Sequence, residues 1–578
     1  MKLQYGNTWW GSEWLKALEE ADHANRLPRG RVYARGGAVI SMHREGETLT
    51  AKVQGTRRTP YHVTLTLPPF PENKVQAFLD DVSRHPSIVT KLLHRELSPA
   101  VMELAERAGL SLFPSSMNDI EMHCSCPDWA HLCKHIAAVI YEVSRAIDND
   151  PFQVFSLHGV SLVSELKKRH VTITNEMSAK IPRWDDLVKG ELVKDMALPM
   201  AEETAEIPDF TKIKSLFSLW MRVLPASPAF YGRGSFGRVY EKTMKGVRKT
   251  AEKALFDSSA VYVVGGGKDS LELASVSSVH LVIEGLSEGK LYTDRGDWWP
   301  MSRFLAALLD MTEEEAQDSS YTVRAFRELV LLAIHLLRTG NAIPELVRVD
   351  ENALSIRWMP TEQDAGTAEA MGILSKWVTS SMVEIARYRE KRCFAREPAE
   401  AALSLFLTHL MQNMAKKNFA DDPIYDLFFM GEPLMAREGR SHPEADGIAS
   451  WLSYFHLSAA RWQPVLLVSD DPKTKAFRLD LSVVDSEDSE GDAGPLADVF
   501  TKKDYDACRY QILKDMDLLS SLVTGMEDYM DSEGRTPISF TAETFAPFLL
   551  EAIPAMRLLG ARVILPKSLQ HLIRPKKT

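Results

Sequence analysis

Twelve residues, C-S-C-P-D-W-A-H-L-C-K-H from Cys124 to His135, hold three of the five cysteines in a 578-residue chain. Their spacing is C-x-C-x6-C-x-H, which puts three thiols and an imidazole into one short loop. Donors of this softness in this number suit a closed tetrahedral zinc site. Four protein ligands leave no open position for water, so the expected role of the metal is structural. A Cys124–Cys126 disulfide would close a very small, strained ring. A chain this poor in cysteine, with no export signal, also reads as cytosolic, where disulfides are rare. Zinc is therefore the expected cofactor, held by Cys124, Cys126, Cys133 and His135. His123 and His131 are the alternatives for the fourth position, and His135 is preferred because it makes the second ligand pair mirror the first.

The flanks follow from this loop. Ile136, Val139, Ile140, Val143 and Ile147 recur at helical spacing. Residues i and i+2 of a helix point about 200° apart, so Cys133 and His135 should sit where the helix begins. One ring nitrogen of His135 would take the metal and the other needs a hydrogen-bond acceptor. Upstream, Trp9, Trp10 and Trp14 mark a short helix that wedges into the core. Residues 31–35, 38–42, 49–54 and 61–67 read as strands of a small antiparallel sheet with one wet face. Amphipathic helices follow near 75–82 and 88–93, and a third begins with Ser98 as cap and Pro99 at its first position, ending at Gly109.

The net charge of −11 argues against a protein that coats nucleic acid over its whole surface. The stretch between Arg26 and Arg58 nevertheless carries about +6. Arg31, Arg35, Lys52, Arg57 and Arg58 are its candidate nucleic-acid contacts, expected to share a patch on the wet sheet face or its loops. No apolar segment near the amino terminus resembles a signal peptide. The most apolar run, residues 329–337, is interrupted by His335 and is far too short to span a bilayer. These features give a cytoplasmic protein without a membrane partner as the expectation.

C-x-C-x6-C-x-H with C-P-D-W inside it resembles the SWIM zinc finger found among bacterial Swi/Snf-type ATPases and their neighbours. The resemblance extends through W-W-G-S-E-W from Trp9 to Trp14, R-G-R-V-Y-A-R from residue 29, A-K-V-Q-G-T-R from residue 51, L-F-P-S from residue 112 and D-P-F-Q-V-F from residue 150. It covers roughly the first 170 residues. Further on, Trp358-Met359-Pro360, residues 402–406, and F-L-L-E-A-I-P-A-M-R-L-L-G-A-R-V-I-L-P from Phe548 to Pro566 resemble the helicase-associated segment that precedes the motor in such proteins. The resemblance implies a SWIM module that binds DNA or protein, and a region from residue 207 onward that docks a separately encoded Swi/Snf-type ATPase.

The expected organisation is a zinc module over 1–174, a linker over 175–206, a mixed helical domain over 207–345 and a helicase-associated-like domain over 346–578. The fold class is α+β and helix-rich, with a small antiparallel sheet and helices around a zinc finger, then a large mainly helical region with short sheets. Within that region Thr312 and Glu315 form a capping-box signal, and a helix over 323–337 ends at Gly340. A further helical stretch opens at 358–360 and runs to about 417. A hairpin spans 464–484 with its turn at 470–474, and residues 485–494 form an acidic loop. Helices over 504–529 and 541–559 and a strand over 561–565 complete the chain.

Two glycine-rich stretches invite other readings. G-R-G-S-F-G-R-V-Y from Gly232 is like a kinase loop, but the lysine, H-R-D and D-F-G that a kinase needs are missing, so a turn with an aromatic plug is expected. V-Y-V-V-G-G-G-K-D-S over 261–270 is near the phosphate loop of ATP pyrophosphatases. Gly265 stands where that family has serine, and residues 271–284 read as β-like rather than as a phosphate-facing helix, which favours a hairpin turn. No G-x-x-x-x-G-K-[ST] occurs. The chain reads as a non-enzymatic accessory protein, with an ATP-using enzyme acting through Gly265 to Ser270 as the alternative.

Overall fold

The structure is a computed structural model and describes residues 5–19, 26–128, 132–169, 171, 181–191, 206–262, 268–387, 391–416, 422–435, 443–471, 476–487, 493–566 and 569. The chain forms two compact units, neither continuous in sequence. One comprises Met1–Met177, Pro225–Phe236 and Pro443–Thr578, and the other Ser178–Leu224 and Gly237–His442. The division therefore differs from the four consecutive segments that the sequence suggests.

The first unit begins with helix α1 (Trp9–Glu19) and helix α2 (Arg26–Arg35). Asp148 accepts the backbone N–H groups of Gly6, Asn7 and Thr8 at 3.0, 3.1 and 3.0 Å and so fixes the start of α1. The expected tryptophan wedge is present. Trp14 is 2% exposed, and the indole N–H groups of Trp9, Trp10 and Trp14 donate to the carbonyls of Leu97, Ile147 and Ile140. Strands β1 (Val39–Glu45), β2 (Thr48–Val53), β3 (Tyr61–Thr66) and β4 (Glu121–Cys124) make an antiparallel sheet in that order. Leu49, Ala51, Val53, Val63 and Leu65 face the core, while Thr50, Lys52 and His62 alternate outward, as a one-sided sheet requires.

Residues 31–35 are not a strand. They lie in α2, whose Gly30 and Ala34 are buried against helix α6 (Lys134–Asn149). A Cβ at Gly30 would collide with that of Ala137. Two small residues four apart allow the helices to cross closely, and this tertiary contact overrides the local strand pattern. The helix ends with Gly37 at φ +68°. Ala38 N–H bonds the Tyr33 carbonyl and Gly37 N–H that of Ala34, a glycine-dependent termination.

The three amphipathic helices appear as α3 (Glu72–Ser83), α4 (Pro86–Leu93) and α5 (Ala100–Arg107). The carboxyl-terminal part of the unit is held to α4 by specific bonds. His94 links its ring nitrogens to Ser450 Oγ at 3.1 Å and the Lys514 carbonyl at 2.9 Å. Ser87 N–H donates to Asp531 at 2.9 Å, and Arg95 bridges Asp150 and Asp446. The expected hairpin is Trp462–Asp471 with Ala476–Asp485. Its strands are joined in one sheet by Gly494–Pro495, Ile538–Phe540 and Arg562–Ile564. Residues 472–474 of the expected turn and 488–492 of the acidic loop lie outside the described residues.

In the second unit a six-stranded sheet runs in the order Val188–Glu191, Lys391–Ala395, Val383–Arg387, Val279–Ile283, Gly289–Thr293 and Trp298–Pro300. The expected linker thus supplies an edge strand. A three-stranded sheet joins Leu434–Met435, Ala353–Pro360 and Ala342–Arg348. Trp358 to Pro360 ends a strand rather than opening a helix. Most of that strand is buried, so it shows no alternation of apolar and polar residues to read. Trp358 N–H donates to Thr408 Oγ1 on the core helix Pro398–Met414, and its indole to the Phe428 carbonyl. The second core helix, Tyr321–Thr339, ends at Gly340 with φ +77°, and the Thr312–Glu315 capping box is formed.

Around the glycine-rich stretches, Phe236 is fully buried at the start of a helix, the expected plug. Lys268–Ala274 is helical rather than β-like. Arg303 grips Asp269 and Glu272, one helical turn apart, at 2.9 and 3.0 Å, which favours the helical geometry. Gly265 to Gly267 lie outside the described residues.

Candidate metal centre

Cys124 is the last residue of β4 and pairs with Val63. Ser125 next to it anchors the turn, because its N–H donates to the His62 carbonyl at 2.9 Å and its Oγ accepts the His62 N–H at 2.9 Å. Both bonds fix the backbone between Cys124 and Cys126. Cys133 is the N-cap of α6, with φ −84° and ψ 164°, and His135 is the second residue of that helix. The two therefore sit at the helix start as expected, where one extended residue aims both side chains the same way.

The donor atoms of Cys124, Cys126, Cys133 and His135 lie within 4.8 Å of one another. His135 Nδ1 is 3.9 Å from both Cys124 Sγ and Cys133 Sγ. These four residues come close enough to hold a metal ion. The other two candidates are not part of the cluster. His123 precedes Cys124 on β4 and is exposed on the opposite face of the strand, and His131 lies outside the described residues.

The thiols of the cluster act on one another. Cys133 Sγ accepts the Ile136 N–H at 3.5 Å, at the positive end of α6. The Cys124 thiol, then the His135 ring and this N–H, draw the Cys133 thiol down to about 4 against the effect of burial. The thiolate so formed pushes Cys124 up, and burial raises Cys126. Three thiols this close cannot all ionise unless a positive charge lies among them.

The expected acceptor for the second nitrogen of His135 is absent. Nε2 is buried and has no hydrogen-bond partner among the described residues. The ring is instead held by aromatic contacts, with Tyr61 at 4.4 Å and Tyr33 edge-on at 5.7 Å between centroids. Lys134 Nζ donates to Tyr33 Oη at 2.7 Å, which ties α2 to the start of α6. A Cβ on Gly55 would lie 3.2 Å from Nε2 and would strike Tyr61. Sequence reasoning missed Ser125, Tyr33, Tyr61 and Gly55, since only the sheet register and the helix crossing bring them to the cluster.

The basic candidates are spread over three elements. Arg31 and Arg35 are exposed on α2, in the helical layer on the inner side of the sheet. Arg31 lies over the Tyr141 ring at 5.0 Å. Lys52 stands on the wet face of β2, and Arg57 and Arg58 on the loop after it, Arg57 at 5.7 Å from the Tyr61 ring centre. The five do not share one sheet face, because Arg31 and Arg35 belong to a helix. The wet face has a second component that depends on register. His43, Thr50, Thr64 and His123 line up across the four strands, and Lys52 pairs with His62.

No helix among the described residues is long and apolar enough to cross a membrane. Residues 298–437, within the second unit, match a domain of unknown function, DUF8276. The chain is also similar to the uncharacterized protein Rv2102 of Mycobacterium tuberculosis (strain ATCC 25618 / H37Rv), at 36% identity over 152 residues, which cover 26% of this chain and 55% of that protein. The chain thus spans about half the length of the curated relative it matches. No solved structure matches it.

Proposed function

We propose that the chain is a SWIM-type zinc protein without catalytic activity of its own, which binds DNA and docks a separately encoded Swi/Snf-type ATPase. The observation that carries the zinc assignment is the convergence of three sulfurs and His135 Nδ1 at one point. A tetrahedral zinc ion, with bonds of about 2.3 Å to sulfur and 2.0–2.1 Å to nitrogen, separates such ligand atoms by about 3.6 Å. The 3.9 Å spacings are within a few tenths of that. Metal analysis of the purified chain should find one zinc per molecule. Full-length protein used as bait in native lysate should retain a Swi/Snf-type ATPase, and its absence from repeated captures would remove the partner assignment.

DNA binding should be weak and salt-sensitive. If Arg31, Arg35, Lys52, Arg57 and Arg58 all reach phosphates, counter-ion release gives a log–log salt slope of roughly −4 on duplex DNA. Reversing Arg57 and Arg58 to glutamate should reduce that slope by about 2 and leave zinc content unchanged. An unchanged slope in the reversed protein would make the patch a solvated loop.

The helix at Lys268 to Ala274 favours the second reading, an ATP-using enzyme, because a helix and not a strand follows the glycines. Equilibrium binding of labelled ATP with and without Lys268→Ala separates the two readings.

A further inference from the structure

Within the first unit, the end of α4, the helix Pro443–His456 and the helix Arg509–Asp517 line a cleft with a cavity of ≈ 50 Å³. Its polar wall is centred on Asp517, whose side chain is only 5% exposed. One carboxylate oxygen, Oδ2, lies 3.7 Å from Lys91 Nζ. The other, Oδ1, is buried and meets no donor in good geometry among the described residues, although the Ser520 side chain lies near enough to favour the carboxylate. An unsatisfied buried carboxylate oxygen is costly unless something meets it.

Neighbouring bases do not satisfy it. Lys91 is divided between Asp517 and Glu527, at 3.7 and 3.6 Å. Arg95 is divided between Asp150 and Asp446, at 3.1 and 3.0 Å. His94 donates Nε2–H to the Lys514 carbonyl and receives Ser450 at Nδ1, and burial lowers it to about 3, so it is neutral. Glu96 stands exposed at the rim of the cleft. The lining carries two carboxylates, Asp517 and Glu96, and two cations, Lys91 and Arg95, each cation already shared between two carboxylates, while Trp451, Pro225, Pro228 and Ala229 supply an apolar wall.

We propose that this cleft binds a small organic cation of the alkylammonium class, with its ammonium group on Asp517 Oδ1, its chain against Trp451, and a second ammonium, where present, at Glu96. The complementarity is that of most small-ligand sites, an apolar wall with a few convergent polar groups. A charge-assisted bond to a buried carboxylate is the strong kind.

Titration calorimetry of the full chain with 1,4-diaminobutane tests the site, with 1-aminobutane, 1,4-butanediol and succinate as comparisons. Both amines should bind saturably at one per chain, and the diol and the dianion should not. Asp517→Asn should weaken both amines by about tenfold or more, with zinc content and circular dichroism unchanged. Glu96→Gln lies on the exposed rim and is expected to fold; it should weaken the diamine and spare the monoamine. Affinity should also fall as the pH drops below about 6, because burial pushes Asp517 up to about 6 against the pull of Lys91. The other groups facing Asp517 are Lys91, His94, which stays neutral, Glu527, Glu96, whose carboxyl the packing around it also raises against the pull of Lys91, and Tyr454, which burial first and then Glu96 and Asp517 keep protonated. Absence of amine binding, equal binding of the diol, or amine binding indifferent to both variants would overturn the proposal. None of these outcomes bears on zinc or DNA.

Discussion

Cys133→Ser should strip the metal from the first unit and unfold the loop before α6. Cys133 combines three properties: it is one of the four residues placed to hold a metal ion, it caps the helix and it is 1% exposed. Serine keeps a cap but offers a poor zinc ligand. For zinc-finger peptides the metal contributes about 10–16 kcal/mol of apparent binding free energy at pH 7. Here most of the core lies outside the loop, so the expected loss is local. Amide exchange should rise sharply over residues 124–140 and remain slow in the Phe78 and Val82 region, with zinc content falling to zero. Removing zinc from the wild type with a chelator should reproduce that exchange pattern. Full zinc in the variant, or slow exchange of the loop after chelation, would refute a structural metal.

Trp14→Ala should cost about 3–5 kcal/mol, the usual range for truncating a fully buried aromatic residue. Two effects add. The side chain fills space between α1 and α6, and its N–H satisfies the Ile140 carbonyl at 3.2 Å. Trp14→Phe keeps most of the volume and loses the bond, so it should cost about 1–2 kcal/mol. Denaturant midpoints of the two variants at equal m-value measure the difference. A loss below about 1 kcal/mol for the alanine variant would mean that α1 is not part of the cooperative core.

The cluster of Cys124, Cys126, Cys133 and His135 was legible because spacing alone brings them together: two pairs, each with one residue between, need only a reversal of the chain. The helix after them was legible from its apolar period, and the capping box and Gly340 from local chemistry. What failed depended on distant partners. The residues around Arg31 alternate like a strand, and only Ala137, more than a hundred positions away, makes a helix the better use of Gly30. Trp358 lies on a strand buried along most of its length, which leaves no alternation to read. The cleft around Asp517 joins residues from position 91 to position 520, and no local pattern announces it.

The chain passes through its first unit three times, the last pass being residues 443–578, and this sets an order on its synthesis. At about 5–20 residues per second, residues 443–578 leave the ribosome roughly a quarter of a minute to a minute after residue 177. During that interval the face of α4 that will receive Lys514 and Asp531 stays uncovered, while the second unit can close on itself. The cysteine loop, by contrast, is complete within twelve residues and needs nothing from the far end of the chain. Metal capture can therefore precede final docking, and the ion would hold the nascent amino-terminal half in shape until its other half arrives.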